Sequence, residues 1–140
     1  MAGWFRPTMD TKFHIDMNWW EEQGLDFRFY LRETLCDEHR QEFSRFDSVG
    51  EIDWVDDETG EVQRVDALWH TLRTCCSLKQ DYITPNTTLV DGVFRTLLAN
   101  GNKPMTMREL YELLDRRPPE TFLRVFTSGK VYMGIRPVME

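Results

Sequence analysis

The sequence predicts an α+β protein, with an acidic N-terminal α/β half (residues 1–80) built around a β-hairpin and packed on a mainly helical C-terminal half (residues 81–140). Three observations point there. Apolar side chains recur at three-and-four spacing in several windows, which is the signature of helices with one buried face. Two short runs alternate apolar and charged residues on either side of an Asp-Glu-Thr-Gly turn, which is the signature of a hairpin. Charge is also unevenly divided. Residues 1–80 hold 9 basic and 17 acidic side chains, a net of −8, whereas residues 81–140 hold 8 and 7, a net of +1.

Composition bounds the function classes. A chain of 140 residues with 41% apolar and 13% aromatic content has the material for a core. The overall charge of −7 argues against a surface that tracks phosphates throughout, because nucleic-acid affinity rests on Lys and Arg neutralising the backbone. No apolar run reaches the roughly 18 residues of a membrane-spanning helix, and MAGWFRPTMD has no signal-segment features, so a cytoplasmic protein is expected. Three cysteines, two of them adjacent, make a poor disulfide framework and suit a reducing compartment where thiols stay free or hold metal.

In chain order, Phe13, Ile15, Met17 and Trp19 alternate with polar residues, which predicts a strand with one buried face. Trp4 and Phe5 with Trp19 and Trp20 could form an aromatic patch for a partner, although aromatics at this spacing usually serve a core. Gly24 breaks the strand region and Asp26 caps a helix whose stripe is Phe27, Tyr30, Leu31, Thr34 and Leu35, ending near Asp37. A short helical piece follows through Arg40, Phe43 and Phe46 and stops at Asp47-Ser48-Val49-Gly50. Residues 51–65 read as the hairpin, with Ile52, Trp54 and Val62 alternating around Asp57-Glu58-Thr59-Gly60. That turn lacks the ligand spacing of a calcium loop, so its acids read as solvated.

Val65–Gln80 joins the two halves as a predicted helix, with Asp66 as cap and Leu68, Trp69, Leu72, Cys75, Cys76 and Lys79 on the face packed on both of them. Past the extended Tyr82–Asn86, Thr87 or Thr88 caps a helix with Leu89, Val93, Phe94, Leu97 and Leu98 inward, closed by Asn100-Gly101. Lys103-Pro104-Met105 leaves room for one or two strand residues. Thr106 and Glu109 form a capping box for a helix that buries Met107, Leu110, Leu113 and Leu114. Arg116-Arg117-Pro118-Pro119 leads into a third helix with Phe122, Leu123, Val125 and Phe126 on its apolar side. After Thr127-Ser128-Gly129, Lys130–Val138 reads as a strand.

Helix, short extended piece, helix, Pro-led helix and strand is an order that resembles the winged helix-turn-helix family. Over residues 87–138 the landmarks LVDGVFRTLLANGNKPMTMRELYELL and GKVYMGI are similar to the small winged helix of the bacterial RNA polymerase delta subunit. The resemblance implies a role in transcription regulation and, if DNA is bound, a recognition helix starting at Pro118. The cations then near phosphates or base edges would be Arg116, Arg117, Arg124, Lys130 and Arg136. Glu120, Asp115 and the acidic half stand against DNA binding, and many relatives dock protein only. The first 80 residues resemble no family.

Metal chemistry is the other candidate. Cys36-x-x-His39 is a pair that grips one side of a tetrahedral zinc, and His70, Cys75 and Cys76 are available to close a structural site. On a regular helix residues five apart stand about 140° apart, so His70 and Cys75 share an ion only if the helix unwinds near Thr74. The same cysteines also suit small apolar core positions, and the histidines the surface. No Gly-rich phosphate loop, no Gly-x-Ser-x-Gly elbow and no second histidine for a zinc-protease motif are present, so no enzyme is expected. The sequence thus points to a small non-enzymatic regulator or accessory factor of the transcription or nucleic-acid machinery, with a protein partner and DNA as a candidate ligand. The alternative is a docking adaptor or inhibitor whose acidic surface meets a basic partner.

Overall fold

A computed structural model of the chain describes residues 6–44 and 50–138, and its architecture is α+β, as expected. Trp4, Phe5, Phe46 and Asp47-Ser48-Val49 lie outside the described residues, so the aromatic patch is not placed, while the second helical piece, expected to run through Phe43, ends at Glu42 with Phe43 already out of helical geometry. Among the described residues no helix is long and apolar enough to cross a membrane.

The chain divides into two compact units, but not at residue 80. One joins the chain up to Leu25 with the chain from Pro85 onward, and the other spans Asp26–Thr84. Long-range strand pairing is the reason. Strand β1 (Lys12–Ile15) lies between β4 (Met105–Thr106) and β5 (Ile135–Pro137), antiparallel to both, with Phe13 opposite Met105 and Pro137 and Ile15 opposite Ile135. Phe13 and Ile15 are buried on the core side of this sheet.

In this first unit the expected strand through Trp19 stops at Asp16, and helix α1 (Met17–Glu22) begins. Asp16 accounts for the switch. Its carboxylate accepts the Asn18 N–H and the Arg136 guanidinium, while its own N–H donates to the Gly134 carbonyl. Trp20 rather than Trp19 is therefore buried, its ring 6.0 Å from Phe94 and its Nε1 donating to the Met133 carbonyl. Helix α5 (Leu89–Ala99) starts at Thr88 and buries the expected Leu89, Val93, Phe94, Leu97 and Leu98. Its end is a left-handed closure in which the Gly101 N–H reaches the Leu98 carbonyl and the Asn102 N–H the Leu97 carbonyl. The Asn102 side chain then bonds both the N–H and the C=O of Ile15, each at 2.8 Å, as a neighbouring strand residue would.

The Thr106–Glu109 capping box opens helix α6 (Met107–Leu114), which buries Met107 and Leu110 but leaves Leu113 65% exposed, against expectation. Helix α7 (Pro119–Phe126) buries Phe122 and Phe126, with Phe122 edge-on to Tyr111. The expected strand Lys130–Val138 is broken in two. Met133 and Gly134, at φ 56° and 77°, make a tight turn that pairs Tyr132 with Ile135, leaving only Ile135–Pro137 as β5. A side chain at Gly134 would meet the Trp20 indole at 2.7 Å, which fixes glycine at this position.

The second unit begins with α2 (Phe27–Glu33), capped by Asp26, and α3 (Asp37–Glu42), with Cys36 at its cap position. Arg32 ties the two together by donating to the Phe43 and Arg40 carbonyls. Strands β2 (Glu51–Val55) and β3 (Val62–Asp66) form the predicted hairpin, and Asp66 caps α4 (Ala67–Thr74) while pairing with Arg28 at 2.9 Å. Helix α4 is shorter than the predicted Val65–Gln80. It ends at Thr74, Cys75 leaves helical geometry at φ −136° and ψ −66°, and a single 3-10 turn covers Cys76–Leu78.

Candidate metal centre

Two segments of the Asp26–Thr84 unit bring four ligand-bearing side chains together. Cys36 and His39 occupy the cap and first turn of α3, where a three-residue spacing puts both on one side of the helix start. Cys75 and Cys76 lie where α4 unwinds, and the irregular backbone at Cys75 lets adjacent residues serve one point instead of opposite faces. One ligand atom from each of the four lies within 4.8 Å of all the others, so the cluster is close enough to bind a metal ion.

The individual distances match a known coordination shell. Cys36 Sγ is 3.2 Å from His39 Nδ1, Cys76 Sγ is 3.4 Å from Cys36 Sγ, and Cys76 Sγ is 3.7 Å from His39 Nδ1. A tetrahedron with zinc–sulfur bonds of about 2.3 Å has edges of about 3.8 Å, so these three atoms already sit near its corners. Three thiols and an imidazole are also the soft donor set that zinc favours. His39 Nε2, on the far side of the ring, is 3.8 Å from the Glu42 carboxylate. That places an acid where ligating histidines often keep an orienting partner. Glu42 was not among the sequence candidates, although its position three residues after His39 was a usable signal.

Electrostatics within the cluster divide the two close thiols. Burial pushes the Cys36 thiol up, but the His39 main-chain amide, the His39 imidazole and the Cys76 thiol outweigh it and bring the pKa down to about 7. Burial drives Cys76 the other way, up to about 12, opposed by the Cys36 amide and reinforced by the neighbouring Cys36 and Cys75 sulfurs. Without metal, Cys36 is thus the acceptor and Cys76 the donor of a shared proton. Metal binding would displace that proton, since ligating sulfur is thiolate.

His70 is not part of the cluster. Its ring packs 5.6 Å from Trp54, and α4 remains helical until four residues beyond it, which keeps its imidazole on a different side from Cys76. His14 lies on β1 in the other unit.

The five cations expected to face DNA are not equivalent. Arg136 pairs with Asp16 at 2.8 Å and approaches Glu22 at 3.6 Å, and Arg116 donates to the Thr87 carbonyl, so both serve the fold of the first unit. Arg117, Arg124 and Lys130 are exposed, with the Lys130 ammonium 5.2 Å from the centre of the Tyr132 ring. Glu120 shares the exposed side of α7 with Arg124 one turn away. No protein-family model, curated protein or solved structure matches this chain.

Proposed function

We propose that this protein is a non-enzymatic regulator or accessory factor of the transcription or nucleic-acid machinery, and that its Asp26–Thr84 unit is a zinc-stapled unit that docks on a protein partner. The observation that carries the reading is the four-ligand set Cys36, His39, Cys75 and Cys76. Catalytic zinc sites keep a coordination position open for water or substrate, whereas four protein ligands close the shell. A closed site supports a structural role: it would staple the start of α3 to the unwound end of α4. The helix–strand–helix–helix–strand order from α5 to β5 in the other unit supports the resemblance to a winged helix, and with it the placement among nucleic-acid machinery.

The test is elemental analysis of purified protein, with about one zinc per chain expected and less than about a tenth overturning the site. Cys36→Ser and Cys76→Ser should each lower that content, and His70→Ala should leave it unchanged.

A second reading, direct DNA contact along α7, is favoured by the exposure of Arg117, Arg124 and Lys130. If it holds, changing all three to Ala should flatten the slope of log affinity against log salt by about 0.9 for each phosphate left without its cation. Wild-type protein that ignores duplex DNA at low salt would exclude this reading and leave protein docking in place.

A further inference from the structure

The hairpin β2–β3 is unlike the rest of the molecule in two respects. It is a two-stranded sheet, and among the described residues no main-chain group pairs with β2 on the edge away from β3. Two strands alone are marginal in water, and an open edge is a template for another chain. It also exposes apolar side chains where surfaces are usually polar. Val55 and Val62 face each other across the strands at 53% and 63% exposure, and Ile52 is 42% exposed on the opposite face.

Charge says what would cover this edge. Residues 51–66 carry seven acids, Glu51, Asp53, Asp56, Asp57, Glu58, Glu61 and Asp66, against the single base Arg64. Arg64, on β3, lies 3.5 Å from Asp53 in an exposed pair, whereas β2 itself carries only acids, Glu51 and Asp53, so β2 is the more acidic edge. Asp66 is already engaged by Arg28 and the start of α4, but the turn acids lie exposed beside the Val55–Val62 pair. Alternating acids and aliphatic residues on an open edge complement a strand that alternates bases and aliphatic residues.

We propose that the outer edge of β2 is a docking edge for an extended segment of a partner protein that alternates Lys or Arg with aliphatic residues. The segment adds to the hairpin as a third strand. Main-chain hydrogen bonds to β2 supply the pairing, Ile52 on one face receives the aliphatic side chains, and Glu51 and Asp53 on the other face, with the turn acids beside them, select for the bases. This deepens the docking reading above and rests on it, though not on the zinc.

The experiment uses the full chain at measured zinc content and a synthetic eight-residue peptide alternating lysine with valine. Titration is followed by amide NMR. The expected result is saturable binding, with shifts and added amide protection along Glu51–Val55. The same peptide methylated on alternate backbone nitrogens should bind roughly tenfold more weakly, because a methylated edge cannot complete the ladder. Ile52→Ser should weaken binding to a similar degree, with the hairpin checked by its cross-strand amide pattern. Should that variant lose the hairpin, Asp57→Lys with Glu58→Lys in the turn tests the charge requirement without touching the strands. Equal affinity for the methylated peptide, or shifts confined to the turn, would reduce the effect to general charge attraction and overturn the proposal. Binding by protein that proves to hold no zinc would sustain the edge while removing the zinc staple; zinc-loaded protein that ignores the peptide would do the reverse.

Discussion

The two units of this chain are held together by different means. Of the twenty-one buried apolar side chains among the described residues, fourteen belong to the unit that joins β1 to the chain from Pro85 onward, and seven to Asp26–Thr84. The first buries Phe13, Trp20, Phe94 and Phe122, large side chains that make a core able to carry its own fold. The second has Leu31, Leu35, Leu68 and Leu72, plus polar ties such as Arg32 to the α3 carbonyls and Arg28 to Asp66. It is also shorter than the roughly 70–80 residues below which a core alone seldom suffices and a staple is usually added. The gathering of four metal-capable side chains in the unit with the thinner core is what that shortage predicts.

If the four-residue cluster holds the proposed zinc, the sharpest way to break this comparison is to remove it. Chelation, or Cys36→Ser, should strip hydrogen-exchange protection from α2, α3 and α4 while α5 to α7 keep theirs. The effect should be large, since structural zinc contributes on the order of 10 kcal/mol of folding free energy in small metal-dependent units near neutral pH. Protection lost equally from both units, or from neither, would mean that the second unit folds by its core after all.

A smaller effect probes the first unit. Asn102→Ala removes both hydrogen bonds to Ile15 and places alanine at φ 61°, a left-handed conformation that asparagine tolerates better. Leaving partly buried main-chain groups unpaired costs about 1–3 kcal/mol, so denaturant unfolding of this unit should lose at least that much. Asn102→Gly keeps the backbone geometry and isolates the hydrogen-bond share. If the glycine variant matches wild type, the bridge to β1 contributes nothing and the sheet stands on its strand pairing alone.

What the sequence revealed follows the range of the interactions. Caps are local, so Asp26, Asp66, Thr88 and the Thr106–Glu109 box were legible from single residues and their neighbours. Cys36 and His39 were legible for the same reason, being three residues apart. What was hidden depends on partners far along the chain. The strand beginning at Phe13 stops at Asp16 because Arg136 and Gly134, some 120 residues later, supply its partners. The boundary at residue 80 failed because composition cannot show that β1 inserts between β4 and β5. Helix α4, expected to run to Gln80, ends at Thr74, the break that was the condition for His70 and Cys75 to share an ion. The consequence of that break was to gather Cys75 with Cys76, not with His70, because the backbone turns only after His70 has been fixed against Trp54.

The smallest effect concerns acid stability in the same first unit. Thr106 and Glu109 hold each other at the start of α6: the Thr106 hydroxyl accepts the Glu109 N–H, and the Glu109 carboxylate accepts the Thr106 N–H. Thr106→Ala should therefore cost about 0.5–2 kcal/mol, read as a lower melting temperature. The Glu109 pKa is lowered, first by the Thr106 amide and then by its hydroxyl, with Lys12 adding a little against the effect of burial. A carboxyl whose folded pKa lies below its unfolded value binds fewer protons folded than unfolded. Its contribution is complete above the ordinary Glu value of about 4.3 and fades as pH falls through the folded value. Glu109→Gln keeps an acceptor for the box but cannot titrate. The melting-temperature gap between wild type and this variant should then be steady at neutral pH and close on acidification below about pH 4. A gap that stays constant into acid would mean that the carboxylate charge adds nothing to the cap.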